Sequence, residues 1–223
     1  MAHAFFLGVD VADHEDADDP GAVTLTLLEK EQNGDHTARY RLDSIRHESD
    51  VSEPGSVADH IQSLVADSPY IGRTTLIVNC RSDVGQAIAD ALDDRGLAPV
   101  EARLTGGMGA PAGDTDEVGV NVSEYDAVEA LATLYRDGRL TFEEHASSGV
   151  SRLARGIQSF VEVLTDVEEA TEAPDTVAAE PQRPEAFDNH VTSAALAAWI
   201  GTERSFDPSQ RLKSELRSRP SDL

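Results

Sequence analysis

The sequence contains a single cysteine, Cys80, so neither an internal disulfide framework nor a cysteine-built zinc cage can hold its fold together. It contains only two lysines, Lys30 and Lys213, and the sixteen arginines that carry the remaining positive charge form no dense run. No stretch approaches the ~18 consecutive apolar residues of a membrane span. The first residues also lack a basic segment leading into an apolar one, so no secretory signal is expected. No Gly-x-x-x-x-Gly-Lys-Ser/Thr occurs, which excludes a phosphate-binding loop and an ATP-driven motor within this chain. These absences describe a soluble, intracellular, cytoplasmic protein with no membrane partner.

What is abundant is acid. Against 18 Lys+Arg stand 42 Asp+Glu, a formal charge of −24 over 223 residues. The acids punctuate every segment, with clusters at Asp13–Asp19 and Glu168–Glu169. Repulsion on that scale opposes compaction in dilute salt. It is largely screened at molar salt, where the Debye length is about 3 Å. Few lysines, many Asp and Ala and few large aromatics resemble the composition of halophilic archaeal proteins; the other reading is an acidic protein seeking a basic partner. Loose phosphate-backbone binding works by counterion release and collapses in molar salt. Any contact with nucleic acid must then run through a metal, shape or a partner. A chain of this length can bury a core without staples.

Hydrophobic periodicity gives the organisation. Residues 4–11 are a short apolar run suited to a buried strand that ends at an acid. Asp19-Pro20-Gly21 closes a polar loop, and 22–28 alternates as a second strand. Asn33-Gly34 signals a hairpin into a third strand over 36–47. Val57, Ile61, Leu64 and Val65 lie on one helix face with Pro54 near its start. Residues 73–80 read as a strand buried on both faces. A helix through Val84, Ile88 and Leu92 follows, with Ser82 or Asp83 as N-cap and Gly96 at its end. A fifth strand spans 98–104, and 105–119 is a glycine-rich loop. Further helices carry Val128, Leu131 and Leu134, then Leu153, Ile157 and Phe160, and finally Val191, Ala194, Ala195 and Trp199. Between the first two of these, 140–142 is short and extended. The expected division is a core over 1–166, an acidic disordered linker over 167–186, a docking helix over 187–201 and a flexible tail over 202–223.

A three-strand antiparallel meander followed by two βα crossovers is the order of the ribonuclease H-like fold. The expected class is therefore α/β, with a mixed five-stranded sheet of three antiparallel and two parallel strands flanked by helices. Open sheets of this kind place ligands at the carboxyl ends of their strands. Gly8-Val9-Asp10-Val11-Ala12 resembles the first-strand motif of the nuclease domain of viral terminase large subunits. Residues 76–85, Leu-Ile-Val-Asn-Cys-Arg-Ser-Asp-Val-Gly, resemble its fourth-strand motif, and 120–140 the helix that follows. Residues 187–197, Phe-Asp-Asn-His-Val-Thr-Ser-Ala-Ala-Leu-Ala, resemble its late helix. The resemblance covers roughly residues 4–201.

That resemblance implies a divalent-metal-dependent nuclease in which acids hold two Mg²⁺ or Mn²⁺ ions and a metal-activated water cleaves phosphodiesters. Asp10 would be the first-strand ligand and Asp188 the late-helix ligand. The fourth-strand acid is missing, since Asn79 and Cys80 stand in its place. Asn79 could offer a neutral carbonyl, Asp83 a carboxylate further on, and Asp13 or His14 are other substitutes. The partners implied are nucleic acid and a separate ATPase or other protein. The alternative is a catalytically inactive ribonuclease H-like protein used for binding or assembly. A third reading is a small-ligand or protein-binding module that merely shares the sheet order. Each residue also has a plainer role: Asp10 as a turn cap, Asp188 as a helix N-cap, Asn79 and Cys80 as satisfied interior residues, and 13–19 as a solvated loop.

Overall fold

The computed structural model describes residues 2–12, 21–32, 37–49, 53–105, 119–142, 147–172 and 188–203. Three strands open the chain: β1 (Ala2–Val11), β2 (Val23–Gln32) and β3 (Arg39–Glu48). Next come α1 (Pro54–Ala66), β4 (Thr74–Asn79), α2 (Asp83–Asp93) and β5 (Val100–Thr105). They are followed by β6 (Gly119–Ser123), α3 (Glu124–Arg136), β7 (Leu140–Thr141), α4 (Ser148–Glu172) and α5 (Asn189–Glu203).

The strands form one sheet in the order β6-β5-β4-β1-β2-β3-β7. β1, β2 and β3 pair antiparallel, whereas β4 adds to β1, and β5 to β4, in parallel. This is the ribonuclease H-like arrangement, with β1 and β4 side by side at the centre. Each face of the sheet is covered by its own helical layer. Phe5, Leu7, Val9 and Val11 of β1 pack with Val57, Ile61, Ile88 and Leu92 of α1 and α2. On the other face, Ala4 and Phe6 join Leu131, Ile157, Phe160 and the Ala-rich run of α5. Successive side chains alternate between faces, so the near-continuous apolar run of β1 is what a two-sided strand requires.

The sheet has seven strands rather than five. β6 begins at Gly119, the end of the expected glycine-rich loop, and continues through 120–123, the start of the stretch expected to resemble the following helix; it is a short edge strand pairing with β5. β7, foreseen as a short extended piece, extends the other edge through two pairs with β3. Two helix signals hold: Pro54 lies in the first turn of α1, and Ser82, one of the two candidates, caps α2. Ser123 caps α3 by accepting from the Asp126 N–H. Gly96 does not itself cap α2. It takes φ +74° just after the C-cap Asp94, where a left-handed residue closes the last turn. α4 runs on to Glu172, into the stretch from 167 expected to be linker. The rest of that linker, the tail beyond 203, the 13–20 loop with Asp13 and His14, the Asn33-Gly34 turn and the 106–118 loop lie outside the described residues.

α5 is the element that sets up the site. It is buried on nearly every side, between the sheet and α3 and α4, which suits its run of small residues. Its backbone comes so close to β1 that a Cβ at Gly8 would collide with the Ser193 carbonyl oxygen. At the same crossing, the Thr26 and Ser193 hydroxyls share a buried hydrogen bond of 2.7 Å. At the far end, the Gly201 carbonyl accepts from Lys30 Nζ and from the Tyr40 hydroxyl, each at 2.7 Å. A cation there meets the negative end of the helix dipole. Burial holds the Lys30 pKa below its ordinary value, and neighbouring Arg139 adds to the effect. No described helix is long and apolar enough to cross a membrane.

Candidate functional site

The carboxyl ends of β1 and β4 carry Asp10 and Asn79. Val9 pairs with Val78, so the next residues, Asp10 and Asn79, lie side by side on the face that α5 covers. Both are buried, at 3% and 7% exposure. The Asn79 Nδ2 donates to Asp10 Oδ1 at 2.7 Å. The other end of the same amide is also fixed, because Asn79 Oδ1 accepts the Arg81 backbone N–H at 3.2 Å. A backbone N–H can only donate, so the carbonyl must face Arg81 and the NH₂ must face Asp10.

The same row continues across the meander. Asp10 stands opposite Thr24, and Thr24 opposite His47. Thr24 Oγ1 and His47 Nδ1 share a hydrogen bond of 3.0 Å. The His47 ring stacks on His190 of α5, with centroids 5.2 Å apart and planes 19° apart. His190 is 3% exposed, and its Nδ1 bonds Asp188 Oδ1 at 2.7 Å. Asp188 also accepts the His190 backbone N–H, at 3.1 Å, which makes it the N-cap of α5. The His190 hydrogen bond holds the Asp188 carboxyl down at about 2, against the opposing effect of partial burial.

Asp10 and Asn79 meet directly. Asp188 is held by His190, whose ring stacks on His47 of β3. Asp83 is exposed in the first turn of α2, which packs in the opposite helical layer. Cys80 faces that layer too, and burial pushes its thiol up to about 12. Among the described residues, no three His, Cys, Asp or Glu side chains are grouped so as to hold a metal ion.

The donor set at β1 and β4 does not fit two hard divalent ions. Such ions need carboxylate or carbonyl oxygens. Here one strand offers a carboxylate, and the other presents an N–H to it while its carbonyl is already occupied. Sequence reasoning missed Thr24, His47 and His190. Strand parity could have aligned Thr24 and His47 with Asp10, but only with a register that the 13–20 loop conceals. Nothing in the sequence announces the stacking of His190 on His47.

No protein-family model matches the chain, and no curated protein matches it. Solved structures similar to it include RuvC of Thermus thermophilus, 10% identical with a TM-score of 0.41, covering 93% of this chain and 96% of that one. The nuclease domain of the human cytomegalovirus terminase is 13% identical with a TM-score of 0.46, covering 89% of this chain and 84% of that one. A manganese-soaked structure of that domain is 12% identical with a TM-score of 0.42, covering 88% and 82%. The fold assignment given above stands on strand order and direction, and the site on its own residues.

Proposed function

We propose that this chain is a catalytically inactive ribonuclease H-like protein that serves as a binding or assembly module. One observation carries the reading: at the fourth-strand position, where two-metal hydrolysis needs a second acid, an amide donates a hydrogen bond to Asp10. Two cations held by carboxylates stabilise the attacking and leaving oxygens of a phosphodiester. A single carboxylate with a neutral amide beside it supplies one negative charge, too little to hold two divalent cations. The partner is nucleic acid recognised by shape, or a second protein such as an ATPase, because a charge of −24 offers no cationic surface for phosphates. The same acidity suits an intracellular, cytoplasmic protein working in concentrated salt, as does a lone buried thiol.

A second reading, the metal-dependent nuclease, draws support from Asp188. It remains ionised down to about pH 2 at the start of the helix that covers Asp10. Incubation of DNA and RNA with the protein and Mn²⁺ or Mg²⁺ in molar KCl separates the two. The first reading expects no cleavage above that of an Asp10→Asn control. Cleavage that needs the metal and disappears in Asp10→Asn would establish the nuclease.

A further inference from the structure

Asp10 is a buried carboxylate at the most central point of the sheet edge, and such a group needs a positive or hydrogen-donating partner. We infer that the Asn79 side-chain amide is built into the place of a cation, as a fixed hydrogen-bond donor to Asp10 where the fourth-strand side of a metal centre would stand. This rests on the inactive reading above and says what replaced the metal centre.

Three contacts brace the amide. Its carbonyl is held by the Arg81 N–H and its NH₂ by Asp10. Its own backbone carbonyl lies so close to α2 that a Cβ at Gly85 would collide with it. α2 in turn is fixed by Ser82, whose hydroxyl accepts the Gly85 N–H at 3.2 Å. The amide therefore cannot turn its oxygen towards Asp10 without abandoning the Arg81 N–H. The edge is a preset acceptor–donor pair. It is also one substitution away from a cation site: Asn79→Asp would put two carboxylates at hydrogen-bond distance, where both ionise only if a cation lies between them and otherwise the pair keeps one proton.

The test is thermal unfolding of the full chain in molar KCl, with EDTA or with Mn²⁺, at pH 7. The wild type is expected to unfold at the same temperature in both. Asn79→Asp is expected to lose about 5 °C in EDTA and to recover most of it in Mn²⁺. The exchanged pair, Asp10→Asn with Asn79→Asp, restores one amide and one carboxylate. It is expected to unfold near the wild type and to ignore Mn²⁺, which keeps the test decisive even if Asn79→Asp does not fold. The inference is overturned if Asn79→Asp is as stable as the wild type and blind to Mn²⁺. It is equally overturned if Mn²⁺ stabilises the wild type through Asp10, or if the exchanged pair needs Mn²⁺ to fold. Each of these can occur without any cleavage of nucleic acid, so failure here is distinct from failure of the inactive reading.

Discussion

Gly8 is where the central strand and the site-bearing helix touch, and replacing it with alanine tests that contact quantitatively. The added methyl would overlap the Ser193 carbonyl oxygen and lie 3.0 Å from the Ser193 carbonyl carbon and 3.3 Å from the Ala197 nitrogen. All three are backbone atoms of a helix packed on several sides, so no flexible side chain can yield. Overpacking of a tight core costs about 1–3 kcal/mol, and rigid neighbours favour the upper end. Moving α5 away would also stretch the buried Thr26–Ser193 hydrogen bond, worth about 1 kcal/mol. A total near ~3–4 kcal/mol in a chain of this size lowers the melting temperature by roughly 6–16 °C. Gly55→Ala is the control. Its Cβ would meet only Arg95 Nη2, at an ordinary 3.7 Å, and alanine favours a helix over glycine by about 1 kcal/mol. Circular dichroism melts in molar KCl should therefore show Gly8→Ala falling and Gly55→Ala level or rising. A Gly8→Ala protein melting within a degree or so of the wild type would refute the close α5 docking, and with it the placement of His190 and Asp188.

Acid unfolding should depend on Asp188. Its folded pKa of about 2 lies below the ordinary 3.8, so its contribution is complete above pH 4 and lost as pH falls through about 2. Asp188→Asn should flatten that limb of a stability–pH profile. Tyr70 donates to Asp43 at 2.6 Å, which holds its phenol up at about 12. Ultraviolet titration should place it some two units above an ordinary tyrosine, and Asp43→Asn should bring it back. Its contribution to stability is full below pH 10 and fades as pH rises through about 12. Lys30→Met removes a charged donor from the Gly201 carbonyl while leaving the Tyr40 hydroxyl in place. It should cost about 1–2 kcal/mol in denaturant unfolding, and an unchanged midpoint would argue against the α5 clasp.

The architecture was legible where one physical signal dominated. Ala4 to Val9 is apolar on both faces because β1 is covered on both, and the change to a 3.6-residue period at Val57 marks α1 without ambiguity. The α2 cap was narrowed to Ser82 or Asp83 because both side chains are favoured just before a helix-periodic run, and the structure selects Ser82. β6 was missed because its alternation, Val120-Asn121-Val122-Ser123, spans only four residues between a glycine-rich loop and a helix, too short a pattern to stand out before its pairing with β5 is seen. At the site, the resemblance pointed to Asp10 and to a missing acid at Asn79 or Cys80; strand parity decides between them, turning Asn79 towards Asp10 and Cys80 to the opposite face. The Asp10–Asn79 hydrogen bond was not visible, because an amide can present either end and only the Arg81 N–H decides which. Asp188 was weighed as ligand or cap. The geometry shows the cap, together with a bond to the His190 ring that residue spacing does not reveal.

The central claim is that Asp10 is paired with an amide and not with a divalent ion. Electron paramagnetic resonance of Mn²⁺ counts bound ions directly, and molar KCl suppresses loose binding to the many surface acids. Titrating the wild type beside Asp10→Asn and Asp188→Asn should give three superimposable curves with no tight stoichiometric site. One or two tightly bound ions per chain, lost in both variants, would mean that the acids converge on a metal centre and that the account is wrong.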